Sequence, residues 1–373
     1  MRKSGLWKQG VATGAVTASL MAAAGAVAAD VPRVAVDIAP VHGLVARVMQ
    51  GVGEPSLVVP AGASPHGYSL RPSEARALDQ AELVFWIGES LTPWLQGPME
   101  KLAHDAHRVE LLEVAGTTQL AFREGARFEA HDHGDHAGHD HGEQGHDDHG
   151  HEGHDHDEHD HDDHDHEGHD HEEHGHDDHD HEGHDHDEHG HDDHDHEGHG
   201  HDHDGVDPHA WLLPQNAQTW LDVIAAELSE HDPENAATYK ANAEAGKQEI
   251  AATVAEISAK LALFQDQQFI VFHDAYQYFE QGFGLNAAGA ISLSDAGKPS
   301  PARVAEVRDV VAELKVSCVF SEPQFNPGLV ATVLDGTGAG TAVLDPLGAS
   351  LETGPQFYPM LLQSLGTAIA DCS

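Results

Sequence analysis

Short apolar runs alternate with longer amphipathic segments along most of the chain. Four runs in the first third have the length of buried strands, at residues 34–38, 57–59, 83–87 and 109–112. Helical segments lie between them, including residues 42–50 and a segment entered through Ser73 and Glu74. Because this alternation is typical of a parallel sheet covered by helices, we predict an α/β lobe here.

The same alternation returns in the last third of the chain. Ser300 followed by Pro301 predicts the start of a helix that runs to about Lys315. Apolar runs predict further strands at residues 269–272, 316–320 and 342–344. We therefore expect a second α/β lobe, with a cleft between the two.

A long helix is predicted between these lobes. Asp232, Pro233 and Glu234 supply an N-cap, a first helical residue and an acidic first turn. No proline follows until Pro299, which allows a stiff helix of about 31 residues, or roughly 45 Å. The predicted N-terminal lobe, linking helix and C-terminal lobe occupy residues 30–231, 232–265 and 266–373.

Residues 131–204 interrupt the alternation with 29 His and 31 Asp or Glu, and without Lys, Arg or aromatic residues. Such a segment cannot offset the entropy lost on ordering, so we predict a disordered insertion. Imidazoles and carboxylates are metal ligands, which predicts several weak, interchangeable sites; the alternative is an acidic spacer. The accessory ligands that we select are His131, His133, His136, His139, His141, His154, His156, His169, His171, His184, His186, His199, His201 and His203.

The charge balance and the N-terminal residues narrow the class of protein. The insertion carries 31 of the 65 acidic residues and none of the 18 basic ones, so the remainder is only moderately acidic. This balance argues against a nucleic-acid partner.

Residues 1–29 have the basic, apolar and small-residue regions of a signal peptide, with cleavage near Ala28 or Ala29; an uncleaved anchor is the alternative.

Seven histidines lie outside the insertion, and their positions relative to the strands rank them. Open α/β sheets bind ligands at the carboxyl ends of their strands. His273 directly follows an apolar run, His66 lies in a loop after one, and Asp345 follows another. His209 comes just after the insertion. We expect structural or solvated roles for the rest, His42, His104, His107 and His231.

Cys318 and Cys372 are the two cysteines of the chain. An exported protein meets an oxidising environment, which favours a disulfide that would fasten the C-terminal helix to the strand of Cys318. A pair of thiolate metal ligands is the alternative.

Five stretches together resemble one family. They read PHGYSLRPSEARALDQAELVFWIGE, DPHAWLLP, FIVFHDAYQYFEQGFGL, CVFSEPQFNPGLV and TAVLDPLG. They look like the ZnuA family, the periplasmic zinc-binding components of bacterial high-affinity zinc ABC transporters. The resemblance covers nearly the whole mature chain. It implies two α/β lobes joined by a rigid helix, a Zn²⁺ ion in the interlobe cleft, and delivery to a membrane permease.

The resemblance also implies site residues. His66, His209 and His273 match the three zinc-ligand histidines, and Asp345 matches a carboxylate ligand of related proteins. Cys318 and Cys372 match a pair that forms a disulfide in many members. Some members carry Glu directly before the first ligand, where this chain has Pro65, so the fourth ligand would be Asp345, water or an insertion residue.

The donor set favours zinc over manganese, because zinc accepts three imidazoles and one oxygen whereas manganese prefers more oxygen donors. Two other functions fit parts of the sequence: a zinc hydrolase, for which no HExxH motif is present, and a metal buffer built on the insertion alone. We predict a monomeric, non-enzymatic zinc-capture protein. A periplasmic metal chaperone is a further candidate partner.

Overall fold

The computed structural model describes residues 31–123, 125, 127–128, 205–292 and 299–372. The predicted signal peptide and the predicted accessory ligands of the insertion lie outside these residues. The part described divides into two α/β lobes.

The first lobe is built on a four-stranded parallel sheet of order β2-β1-β3-β4. Its strands are β1 (Val34–Val36), β2 (Ser56–Leu57), β3 (Leu83–Trp86) and β4 (His107–Glu110). Its helices are α1 (Ala39–Val48), α2 (Pro72–Asp79) and α3 (Gln96–Leu102). The two inner strands are entirely buried, as expected for a sheet with helices on both faces. All four predicted strands are present, although β2 and β4 begin earlier than predicted.

Two long helices follow, α4 (Pro214–His231) and α5 (Ala236–Leu261). The predicted helix start at Asp232 is wrong, because Asp232 ends α4 and lies in the turn before α5. Its carboxylate accepts hydrogen bonds at 2.7 Å from Asn235 Nδ2 and Tyr239 Oη, so it fixes this turn. The 26 residues of α5 span about 39 Å. The sequence did not predict α4 as a separate element.

The second lobe repeats the plan with a parallel sheet of order β6-β5-β7-β8. Its strands are β5 (Phe269–His273), β6 (Ala287–Ser292), β7 (Cys318–Ser321) and β8 (Gly340–Val343). Its helices are α6 (Gln277–Phe283), α7 (Pro301–Leu314), α8 (Pro327–Leu334) and α9 (Phe357–Asp371). As predicted, Ser300 caps α7, and its hydroxyl accepts a hydrogen bond from the backbone N–H of Arg303.

One apolar cluster joins the lobes. Helix α5 packs against α1, α4 and α9, and the cluster runs from the first sheet through these helices to the second sheet. The predicted disulfide is confirmed: Cys318 begins β7 and Cys372 directly follows α9, with their Cα atoms 5.9 Å apart. Within the described ranges, none of the helices has the length and apolar character needed to cross a membrane.

Candidate metal centre

Three of the predicted ligands come together although they are far apart in sequence. His66 lies in the loop after β2, His209 directly precedes a short 3₁₀ helix, and His273 is the last residue of β5. One nitrogen atom from each ring lies within 4.8 Å of the others. The ring centroids of His66 and His273 are 5.4 Å and 5.2 Å from that of His209.

The spacing of two nitrogen atoms matches a tetrahedral metal site. Nε2 of His209 and Nε2 of His273 are 3.4 Å apart. Two nitrogen ligands at typical zinc bond lengths in a tetrahedron are separated by about 3.3 Å. The two imidazoles are therefore already at the distance that one bound ion requires.

Buried carboxylates fix the orientation of both rings. The Nδ1–H of His209 donates to Asp207 Oδ1 at 2.6 Å, and the Nδ1–H of His273 donates to Glu322 Oε1 at 2.8 Å. Each carboxylate also accepts the backbone N–H of the same histidine. Because Nδ1 carries the proton in this arrangement, the lone pair of each Nε2 is available to a metal.

These two carboxylates were not among the site residues predicted from the sequence. Burial raises the pKa of Asp207 to about 6, against the opposing effect of its hydrogen bonds from His209 and Gln277. Asp207 lies two residues before His209, and Glu322 directly follows the strand β7. The rule that ligands gather at strand ends could have found Glu322.

The loop of His66 has its own supports. Trp94 Nε1 donates to the carbonyl of Pro65 at 2.6 Å, and the Tyr68 hydroxyl donates to Glu74 at 2.8 Å. The rings of Tyr68 and Trp94 pack edge to face, with centroids 5.7 Å apart. Pro65 therefore contributes a backbone acceptor that anchors the loop beside the first histidine.

Asp345 is not part of the three-histidine group. Its carboxylate accepts the backbone N–H groups of Leu347 at 3.0 Å and Ala349 at 2.6 Å, and so it stabilises its own turn. The carbonyls on either side of Asp345 are also held, by the Tyr276 hydroxyl and by Trp211 Nε1, each at 2.9 Å. The position of this predicted ligand is thus fixed by segments that carry His209 and His273.

Comparison with known proteins places this geometry in a family. Residues 34–372 match the family model described as ZnuA, zinc-uptake complex component A, periplasmic. The chain belongs to the ZnuA family. High-affinity zinc uptake system protein ZnuA of Brucella abortus (strain 2308) is 46% identical over 339 residues, 91% of each chain. The same-named protein of Paracoccus denitrificans (strain Pd 1222) is 43% identical over 358 residues, 96% of each chain.

A solved structure supports the fold. The crystal structure of a ZnuA deletion mutant with zinc bound has a TM-score of 0.62 and 21% identity, and the match covers 92% of this chain and 98% of that one. The predicted two-lobed α/β fold and the predicted family are therefore confirmed. The ZnuA family consists of periplasmic uptake proteins rather than enzymes, which agrees with the prediction made from the motifs.

The other histidines that the structure describes in this ZnuA-family chain contact partners outside the group. His42 is buried, its Nε2 lies 3.1 Å from the carbonyl of Pro55, and burial lowers its pKa. His107 pairs with Glu227 at 3.1 Å, and His231 bonds the carbonyl of Glu227 at the end of α4. In the described part of the chain, His66, His209 and His273 form the one group of three close metal-binding side chains.

Proposed function

We propose that the chain captures Zn²⁺ at His66, His209 and His273 in the cleft between the lobes and delivers it to the membrane permease of a zinc ABC transporter. The observation that carries this proposal is the 3.4 Å approach of two Nε2 atoms whose rings are each oriented by a buried carboxylate. Membership of a periplasmic zinc-uptake family supports it.

The donors favour zinc over harder divalent ions. Three imidazoles supply nitrogen, whereas Mg²⁺, Ca²⁺ and Mn²⁺ prefer sites dominated by oxygen. The two carboxylates nearest to the rings, Asp207 and Glu322, are directed at Nδ1 atoms and serve as supports. Of these four ions, zinc is therefore the cargo that the ligands fit best, and selection against copper must come from geometry and supply.

A fourth, oxygen ligand completes the tetrahedron, and Asp345 is our first choice, followed by water or an insertion residue. Zinc binding by Asp345 would use lone pairs that its bonds to Leu347 and Ala349 leave over. We expect Asp345→Ala to weaken zinc binding and Pro65→Ala to leave it nearly unchanged. An unchanged affinity in Asp345→Ala would assign the position to water or to the insertion.

We propose that the insertion, residues 131–204, collects zinc and raises its concentration near the cleft. The described segments that flank it pair with each other, because Ala121 and Val206 form an antiparallel bridge. The chain is proposed to act as a monomer. The cleavage of residues 1–29 and exchange with a metal chaperone belong to the same proposal.

Calorimetry on a chain that lacks residues 131–204 tests the cleft site. We expect one tight zinc site, because the three histidines and the carboxylates that orient two of them lie outside the deleted residues. His209→Ala should abolish this site, whereas His107→Ala, a half-exposed histidine outside the group, should preserve it. Loss of tight binding on deletion alone would overturn the proposal in favour of a metal buffer.

A further inference from the structure

The two chain segments that flank the insertion are built into the surroundings of the metal centre. Leu120 and Phe122 pair with Asp207 and Gly205 through backbone hydrogen bonds, on either side of the bridge between Ala121 and Val206. These segments, residues 120–123 and 205–207, form the root of the insertion. Asp207, which orients His209, is therefore itself a root residue.

Helix α6 fastens the root from one side. Gln277 Nε2 donates to the carbonyl of Ala121 at 2.8 Å and to Asp207 Oδ2 at 2.6 Å. The hydroxyl of Tyr278 accepts the N–H of Leu120 and donates to the carbonyl of Asp207, both at 2.8 Å. One end of a short helix thus holds both segments of the root and the carboxylate behind His209.

A buried ion cluster fastens the root to the segment of His273. The guanidinium of Arg123 contacts both carboxylate oxygens of Asp274, the residue directly after this ligand, and both oxygens of Glu280 at 2.9 Å. The exposed fraction of the Arg123 side chain is 10%, and that of each carboxylate side chain is 2%. Arg123 also stacks on Phe128, 3.9 Å from the ring centroid.

The contacts of Arg123 hold more than the loop that carries it. A guanidinium that bonds two buried carboxylates in forked geometry fixes both of them, and a lysine cannot reproduce that geometry. Asp274 directly follows His273 and Glu280 lies within α6, so the guanidinium ties this helix to the end of β5 that carries His273. The same helix also holds the carboxylate of Asp207 in place, through the hydrogen bond from Gln277.

We propose that Arg123 and Gln277 are positioning residues of the metal centre, which fasten the root of the insertion to the segments that carry His209 and His273. The inference rests on the proposed zinc site. Disturbing either residue should shorten the retention of zinc in the cleft, although neither residue contacts the ion. The root is then part of the zinc site as well as the attachment of the insertion.

The test is zinc release from the full mature chain into an excess of the chelator 4-(2-pyridylazo)resorcinol. We expect a fast phase from weakly held zinc and a slow phase of one equivalent from the cleft. Arg123→Lys and Gln277→Met should each accelerate the slow phase about tenfold, the lower end of effects seen when a ligand's support is removed. The fast phase should not change, and it serves as an internal control.

Arg47→Lys is the matched control. Arg47 has the same 10% exposed fraction and a forked contact with Glu249, at 2.9 Å for both pairs, between α1 and α5. Arg47→Lys also breaks a forked contact, although its one carboxylate partner is 36% exposed, and its slow phase should stay as in the unsubstituted chain. The visible spectrum of bound Co²⁺ should change for Arg123→Lys and stay constant for Arg47→Lys.

Two failures are distinguishable. If His209→Ala retains the slow phase, the proposed zinc site is wrong. If His209→Ala abolishes the slow phase while both Arg123→Lys and Gln277→Met release zinc at the unsubstituted rate, the site stands and the positioning role is wrong. Gln277→Met keeps the ion cluster intact, so it tests the role even if Arg123→Lys does not fold.

Discussion

Asp207→Asn offers a severe test of how the metal centre is organised, because the carboxylate and the amide have nearly the same shape. Asp207 is fully buried. Its Oδ1 accepts two bonds from His209, and its Oδ2 accepts one from Gln277 at 2.6 Å. An asparagine has only one acceptor oxygen. Its NH₂ group must therefore face either the N–H groups of His209 or the NH₂ group of Gln277, and either arrangement places two donors against each other.

The size of the effect follows from this mismatch. If the oxygen stays with His209, the amide faces Gln277, and a buried donor left without an acceptor costs about 1–3 kcal/mol. A flip of Gln277 would relieve the clash but would break its bond to the carbonyl of Ala121. With the charge lost as well, we expect zinc affinity to fall about 100-fold, the upper end of effects for such supporting residues.

Glu322→Gln provides a comparison, because it should weaken zinc binding less than Asp207→Asn does. One oxygen, Oε1, accepts both the ring and the backbone N–H of His273, so an amide oxygen at this position can keep both bonds to His273. We therefore expect a decrease of about tenfold, smaller than that of Asp207→Asn. Asp232→Asn, at a buried carboxylate in the turn before α5, is the control for general destabilisation.

The assay is competition with a chelator of known affinity, on the chain without residues 131–204. Apo-protein unfolding in urea, measured in parallel, reports any loss of fold. The reasoning is refuted if Asp207→Asn binds zinc within twofold of the unsubstituted chain, or if Asp232→Asn weakens binding as much as Asp207→Asn does.

Three further predictions concern stability and pH. Replacing Cys318 and Cys372 by alanine should lower the free energy of unfolding by about 4 kcal/mol, since the disulfide closes a loop across 54 positions; an unchanged urea midpoint would contradict this. Burial raises the pKa of Asp37 from 3.8 to about 7. Between these two pH values the folded chain keeps a proton that the unfolded chain has lost. The free energy of unfolding should therefore fall as the pH rises from about 4 to 7, with a shallower slope in Asp37→Asn. Equal slopes in the two proteins would refute this prediction. In metal analysis, the full chain should fall from several zinc ions at pH 7.5 toward one at pH 5.5, because the insertion's carboxylates favour protonated imidazoles; excess zinc at the lower pH would indicate organised sites.

The sequence predicts the strands well because they depend on local signals, whereas the grouping of the three histidines follows from the family resemblance and their role as ligands stays a prediction. Buried parallel strands are continuous apolar runs, and His273 ends one of them. The start of the long helix was misplaced because Asp232 and Pro233 are a helix-start signal in any context. In the structure, the side chain of Asp232 is already used by Asn235 and Tyr239, and the helix begins at Ala236.

The supports of the site could not be predicted in the same way. Glu322 meets His273 across 49 positions, and Arg123 meets Asp274 across 151, so no local periodicity relates them. For Asp345, in contrast, a local signal is present but has two interpretations. Its place after an apolar run predicts a ligand, yet its nearest partners are the backbone N–H groups of Leu347 and Ala349, because an aspartate that follows a strand can also cap a turn.

The buried carboxylates near the predicted ligands favour a bound cation, but they do not decide which metal ion binds. Asp207, Glu322, Asp274 and Glu280 are buried around the histidines, and within the described residues the guanidinium of Arg123 is the cation that contacts this set. Burial raises the pKa of Asp207 to about 6, so its ionised form is costly without a nearby cation. A divalent ion at the imidazoles reduces that cost, because a nearby opposite charge favours the ionised form. Charge alone does not distinguish Zn²⁺ from Mn²⁺, so the choice of metal rests on the nitrogen donors and their 3.4 Å spacing.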